Sequence, residues 1–223
     1  MLFKSTLFVF FHTLLSASSL PDVQKSVETR FPKNERLRSL KLGDVARHLR
    51  IQTGSVVADV GCGSGEIAVV LAAAIGRTGK VFCEDINWHK QFGLAAARAT
   101  FKAQKIKNGV FVKGNADSPK LPAAALDAVL VSMAYHEFVN HEAMLKEVKK
   151  SLKPNGRLVI LDMRPNRTAS RPRDKQTKNH VIAPDIVAKE LETAGFRISS
   201  RNNFFIDDPD SESVHWLIEA EPI

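Results

Sequence analysis

Short, almost wholly apolar runs alternate along this chain with longer segments whose apolar residues recur every three or four positions. Residues 34–50 place Leu37, Leu40, Val45, Ala46 and Leu49 on one face, which predicts an amphipathic helix ending before Gly54. Residues 55–60 read as a buried strand. Ile67, Val70, Leu71 and Ala74 then predict a helix up to Gly76. "VFCEDI" is a second strand, residues 88–107 an alanine-rich helix, and "GVFVKG" a third strand. "LDAVLVSMA" is a fourth strand. Its continuous apolar character suits a sheet covered on both faces. Asn140 is placed to cap a helix in which Met144, Val148 and Leu152 recur. Lys153-Pro154-Asn155-Gly156 predicts a turn into the fifth strand, "RLVILDM". A helix over 184–194 closes at Gly195. Two further strands, "FRISSRNNFFI" and "VHWLIEAEP", flank an acidic turn over 207–212.

Strands alternating with helices predict an α/β fold with a doubly wound, mostly parallel, seven-stranded sheet. The last two strands lack an intervening helix, so an antiparallel strand is expected at the C-terminal end. Ligands of such sheets bind beyond the carboxyl ends of the strands. That edge collects residues 59–65, Asp85, Asn115, Ala116, residues 132–137 and the chain from Asp162 onward.

Between the first strand and its helix lies Asp59-Val-Gly61-Cys62-Gly63-Ser-Gly65. The dinucleotide fingerprint is GxGxxG. Here the spacing is GxGxG, and Glu66 takes the place of the third fingerprint glycine. Carboxylates at Asp59 and Glu66 disfavour a pyrophosphate and favour a ligand with a positive group, such as an amino-acid ammonium. Asp85, ending the second strand, is placed to accept hydrogen bonds from ribose hydroxyls.

These residues resemble the first motif of class I S-adenosylmethionine-dependent methyltransferases, and further matches follow in order. "VFCEDI" resembles the second-strand motif and "GNADSPKLP" the family's GDAxxLP segment, with Asn115 where an aspartate usually meets the adenine amino group. "LDAVLVSMAYHEF", "LKPNGRLVILD" and "LETAGF" resemble the later motifs. The resemblance covers about residues 35–220 and is nearest to small-molecule enzymes similar to quinone-biosynthesis C-methyltransferases. It implies a Rossmann-like methyltransferase fold with S-adenosyl-L-methionine as cofactor. The cofactor positions expected are Asp59, Gly61, Cys62, Gly63, Gly65, Asp85, Ile86, Asn115, Ala116 and Ser132.

"AYHEF" follows strand four, where the transferred methyl group is expected. An oxygen or carbon acceptor needs a base, and His136 is matched to that task near neutral pH. Tyr135 is expected as a pocket wall near the sulfonium. The stretch 163–180 holds six Arg or Lys and one acid, and could arch over an anionic acceptor or be a solvated loop. It would bring His180 as a second base candidate. The (Asp/Asn)-Pro-Pro-(Tyr/Phe) signature of many exocyclic-amine methyltransferases is replaced by "SMAY", which favours oxygen or carbon acceptors. A nicotinamide-dependent oxidoreductase of the short-chain type needs a tyrosine with a lysine four residues on. Tyr135 is the only tyrosine and position 139 is Val139. The competing reading is a non-catalytic module that binds the cofactor or an anion.

The chain has 223 residues, 44% hydrophobic and 25% charged, enough for one sizeable core. Net charge +8 and a pI near 9.6 attract anions without choosing among them. No aromatic interleaving or RNA-binding motif marks a nucleic-acid surface, so nucleic acid is not an expected partner. Cys62 and Cys83 each read as a small residue inside a strand or loop; neither a disulfide framework nor a structural zinc site is expected, and no metal is assigned. Residues 1–20 carry an apolar stretch from Leu7 to Leu15 followed by Ser16-Ala17-Ser18. They resemble a secretory signal peptide, or else are an N-terminal arm or the product of a misassigned start codon; residues 21–223 are expected to form the single domain. The stretch is short for a membrane span. An exported chain would work away from the cytoplasm, where S-adenosylmethionine is made. Acceptor and oligomeric state stay open.

Overall fold

The computed structural model describes residues 22–87, 92–165, 170–207 and 214–223. Seven strands form one sheet in the order β3-β2-β1-β4-β5-β7-β6. The strands are β1 (Val56–Val60), β2 (Lys80–Asp85), β3 (Gly109–Lys113), β4 (Leu126–Ser132), β5 (Leu152–Met163), β6 (Phe196–Asp207) and β7 (Val214–Pro222). β1 pairs in parallel with β2 and β4, β2 with β3, and β4 with β5. β7 is antiparallel to both β5 and β6. The strand order reverses between β1 and β4, so a crevice opens at their carboxyl ends.

Helices α1 (Val23–Arg30), α2 (Glu35–Ser39), α3 (Leu42–Leu49), α4 (Glu66–Ala74) and α5 (Leu94–Ala103) precede β3, and α6 (His141–Ser151), α7 (Arg173–Thr177) and α8 (Pro184–Thr193) follow β4. One apolar cluster joins Val27, Val45, Leu49, Val69, Leu71 and Phe101 to Val57, Val81 and Leu130. The other joins Met144, Val148, Val187 and Leu191 to Val60, Val129, Ile160 and Trp216. Alternate residues of the same strands feed the two clusters, as the strand period requires.

The structure corrects three expectations. The single helix over 34–50 is two helices, because Lys41 turns the chain at φ 49°, and α3 ends at Arg50 with φ 50°. Lys153-Pro154-Asn155-Gly156 is not a separate turn. It lies within β5 as a register shift, where Leu152 pairs with Leu126 and Arg157 with Ala128. Cys62 and Cys83 form a disulfide with Cα atoms 5.6 Å apart. Parallel register sets Asp59 beside Cys83, and the loop after β1 folds Cys62 back over β2. Residues 88–91 of the expected 88–107 helix, and 208–212 of the acidic turn, lie outside the described residues.

The disulfide closes a loop of sequence separation 21 and pins the glycine loop to β2. Constraint of the unfolded chain by such a loop contributes about 3 kcal/mol, which for a domain of this size is about 6–12 °C in Tm. Thermal melts with and without a phosphine reductant check this. The Cys62→Ser/Cys83→Ser double variant is expected to melt like the reduced protein, and coincident oxidised and reduced melts would contradict it.

Candidate active site

A cavity of about 370 Å³ lies at the carboxyl ends of β1, β2 and β4. Its walls come from the glycine loop, the ends of β2 and β4, and α2, which contributes Arg36 and Leu37. Asn34 sets that helix in place: its Oδ1 accepts from Leu37 N at 2.9 Å and its Nδ2 donates to Glu66 Oε1 at 3.1 Å.

The glycine loop needs its glycines for space as well as for conformation. A Cβ on Gly61, at φ 76°, would stand 2.5 Å from Ala134 Cβ, and one on Gly65, also at φ 76°, 2.9 Å from Ala97 Cβ. Backbone amides tie the loop down. Gly61 N and Cys62 N both donate to Glu84 O, at 3.0 and 2.8 Å, and Gly63 N donates to Asp85 Oδ2 at 3.1 Å.

Three acids meet beneath the loop. Asp59 and Glu84 are each 2% exposed, and Asp85 is buried beside them. Burial, opposed by the Ala68 backbone amide and reinforced by Asp85, raises Asp59 to about 7. Burial, opposed by the Gly61 amide and reinforced by Asp85 and Asp59, raises Glu84 to about 8. Asp59 Oδ2, Glu84 Oε1 and Ser132 Oγ have no hydrogen-bond partner among the described residues, and all three residues line the cavity. Buried acceptors without donors are costly. A ligand carrying an ammonium group and hydroxyls would satisfy them.

Asp85 is already in use: Asn87 N donates to its Oδ1 at 2.6 Å, in addition to the Gly63 bond. A carboxylate has about four lone-pair positions, so it retains capacity for ribose hydroxyls. Ile86 and Ala116 line the same end. Asn115 Oδ1 closes a local turn, accepting from Asp117 N at 3.0 Å and Ser118 N at 2.8 Å. Its oxygen is therefore committed to the turn, and its amide nitrogen is the group it offers to the cavity.

At the far end, Tyr135 departs from expectation. It is fully buried, absent from the cavity lining, and donates to Glu190 Oε2 at 2.7 Å. Burial and the Glu190 carboxylate push its phenol up, so it stays protonated. The short 3₁₀ turn Tyr135–Glu137 after β4 turns Tyr135 into the core and His136 toward the cavity. His136 is 6% exposed; its Nδ1 lies 2.8 Å from Asp162 Oδ1, and its backbone N–H donates to Asp162 Oδ2 at 3.0 Å. Burial works against the imidazolium, but the hydrogen bond and charge of Asp162, with Glu137 beside it, outweigh it and raise the group above its ordinary range. Asp162 is the penultimate residue of β5 and is 0% exposed.

The basic stretch 163–180 is anchored where it is described. Gln176 is buried, donating to Arg171 O and accepting from Ala183 N, each at 2.7 Å, and Arg173 donates to Phe138 O at 2.9 Å. These contacts hold His180 against the site, with its Nδ1 2.5 Å from Glu137 Oε1. Sequence reasoning missed Glu84, hidden behind its neighbour Asp85, and the walls from Arg36, Phe92 and Val139. Strand parity gave no signal for Glu84, since in register it pairs with Val60 rather than Asp59; the return of the glycine loop over β2, with Gly61 N reaching Glu84 Oε2, brings it to the site.

The family model described as "ubiE/COQ5 methyltransferase family" matches residues 15–220. A demethylmenaquinone methyltransferase of Lactococcus lactis is 26% identical over 155 residues, covering 67% of this chain and 60% of that protein. The ubiquinone/menaquinone biosynthesis C-methyltransferase UbiE of Hydrogenovibrio crunogenus is 30% identical over 170 residues, covering 76% of this chain and 59% of that protein. The chain thus spans less than two thirds of the length of these curated relatives. In fold it is similar to the crystal structure of a SAM-dependent methyltransferase from Aquifex aeolicus, with TM-score 0.70, 23% identity, and 91% of this chain and 99% of that chain covered. With the family model matching nearly the whole chain, this protein belongs to the ubiE/COQ5 methyltransferase family, whose cofactor is S-adenosylmethionine.

Proposed function

We propose that this chain catalyses methyl transfer from S-adenosylmethionine to a carbon of a small hydroxylated aromatic acceptor of the quinol class. The observation that carries the reading is one cavity with unpartnered oxygens of Asp59 and Glu84 at one end, Ser132 Oγ between, and the His136–Asp162 pair at the other end. The names of the similar proteins, which act on demethylmenaquinone or serve ubiquinone and menaquinone biosynthesis, supply the acceptor class.

When bound, S-adenosylmethionine supplies an electrophilic methyl group on a sulfonium. Asp59 and Glu84 hold its ammonium, with Gly61, Cys62, Gly63 and Gly65 letting the backbone come close. Asp85 takes the ribose hydroxyls, and Ile86, Ala116 and the Asn115 amide bound the adenine. Ser132 faces the middle of the cavity, toward the reacting centre. Displacement at a methyl is in-line, so holding both reactants in register supplies much of the acceleration. His136, braced by Asp162, meets an acceptor hydroxyl, and removing that proton sends electron density into the ring carbon to be methylated.

Calorimetric titration with S-adenosylhomocysteine tests the cofactor half. Micromolar binding, weakened about tenfold or more by Asp85→Ala, is expected, with NAD as the negative control. Absence of binding in folded protein would overturn the reading.

A further inference from the structure

At the acceptor end, three donor atoms converge in a way that the His136–Asp162 pair alone does not require. His136, Glu137 and His180 each offer one ligand atom, and these atoms lie within 4.8 Å of one another. His136 Nε2 is 3.2 Å from Glu137 Oε1, and His180 Nδ1 is 2.5 Å from the same oxygen. Asp162 occupies Nδ1 of His136 and accepts its proton-bearing side at 2.8 Å. In the neutral imidazole that fixes the tautomer, so Nε2 presents a lone pair to a carboxylate oxygen. Two acceptors do not face one another at that distance without a positive centre between them. The centre is either a proton on each imidazole or one cation shared by all three side chains.

We propose that His136, Glu137 and His180 bind a divalent transition-metal ion. Two imidazoles and one carboxylate with open positions are a donor set for Zn²⁺, Fe²⁺ or Co²⁺, whereas Mg²⁺ and Ca²⁺ prefer oxygen ligands. Metal–nitrogen and metal–oxygen bonds of about 2.0–2.2 Å place ligand atoms roughly 3.0–3.5 Å apart. The His136–Glu137 separation already fits. The His180–Glu137 separation needs to open by less than about 1 Å, and His180, 69% exposed, is free to move that far. Asp162 behind His136 is the outer carboxylate that orients a metal-bound imidazole. The charge also balances, since one dication neutralises Glu137 and Asp162. Zinc-type clusters are usually announced by close sequence spacing. Here His136 and His180 come together only because Gln176 and Arg173 anchor the segment after β5. The expectation of a metal-free chain therefore came from spacing alone.

His136 and Glu137 line the cavity, so open positions on the ion would face the acceptor. Resting on the methyltransferase reading, the loaded ion would replace His136 as the activating group: with His136 Nε2 on the metal, the ion would bind the acceptor oxygen and lower its hydroxyl pKa, and the proton would leave to solvent.

The test uses the full chain without a histidine tag. Zn²⁺ titration is expected to give one ion per chain with micromolar or tighter affinity, insensitive to millimolar Mg²⁺. Co²⁺ should give visible ligand-field bands. Glu137→Ala and His180→Ala should each weaken Zn²⁺ binding about 100-fold, and Asp162→Asn about 10–100-fold. Circular dichroism and S-adenosylhomocysteine binding report separately whether each protein is folded and whether the cofactor reading stands. The proposal fails if folded protein binds no stoichiometric Zn²⁺, which leaves protons as the shared charge. It also fails if Glu137→Ala and His180→Ala bind Zn²⁺ as tightly as the parent.

Discussion

Asp59→Asn will weaken S-adenosylhomocysteine binding roughly 10–100-fold at pH 8, the worth of a charge-assisted hydrogen bond, while stabilising the ligand-free protein. Both effects have one cause. Asp59 is buried with Glu84 and Asp85, and its Oδ2 has no donor among the described residues. Its folded pKa, about 7, stands above its ordinary value of 3.8, and that of Glu84, about 8, stands above 4.5. Between these values the folded protein binds more protons than the unfolded chain, so unfolding free energy falls as pH rises. Stability contributed by the protonated acids is complete below about pH 4 and is lost by about pH 7 for Asp59 and pH 8 for Glu84. An amide at position 59 removes its share of that loss, a few kcal/mol at pH 8.

A ligand ammonium reverses the balance, because it favours the ionised acids and expels their protons. Affinity should rise with pH between about 6 and 8, by up to tenfold per unit for each acid still protonated. Arg36 and Glu66 face the same cavity with opposite charges and do not cancel this dependence. Calorimetry in two buffers of different ionisation enthalpy measures the proton release directly. Proton uptake, or an affinity flat across that range, would contradict the role given to these acids.

How far the sequence carried is clear from particular residues. β1, β2, β4 and β5 are apolar because helices cover both faces of the sheet, so their positions and the binding edge were legible. The break between α2 and α3 was not, because the apolar spacing continues across it and the left-handed residue is Lys41 rather than a glycine. The disulfide depends on strand register and the return of the glycine loop, neither visible in a separation of 21 residues. Tyr135 and His136 are adjacent in sequence, and only the 3₁₀ turn decides which faces the core and which the cavity. His180 was placed near the site from its position after β5, but its contact with Glu137 depends on the buried anchor at Gln176.

The largest kinetic effect is expected at His136. His136→Ala should lower kcat for methylation of a reduced 1,4-naphthoquinone bearing a short alkyl chain by about 10²–10⁴, the usual worth of a positioned proton-transfer group. S-adenosylhomocysteine affinity should change little, because Asp59, Glu84 and Asp85 lie at the other end of the cavity. Asp162→Asn should produce a smaller fall of the same kind. Asp162 touches His136 twice, through Nδ1 and through the backbone amide, and also accepts from Met163 N at 2.7 Å. The asparagine keeps the size but loses the charge and part of that hydrogen bonding, so the imidazole loses its orientation while the strand end keeps its shape. Tyr135→Phe gives the contrast. It removes the bond to Glu190 on the core side and should cost stability, with kcat preserved. Steady-state kinetics with both substrates varied, together with calorimetry for the cofactor product, separate these outcomes. A His136→Ala protein whose loss appears wholly in cofactor affinity would place that residue in cofactor binding rather than at the acceptor, and undiminished turnover would remove it from the reaction altogether.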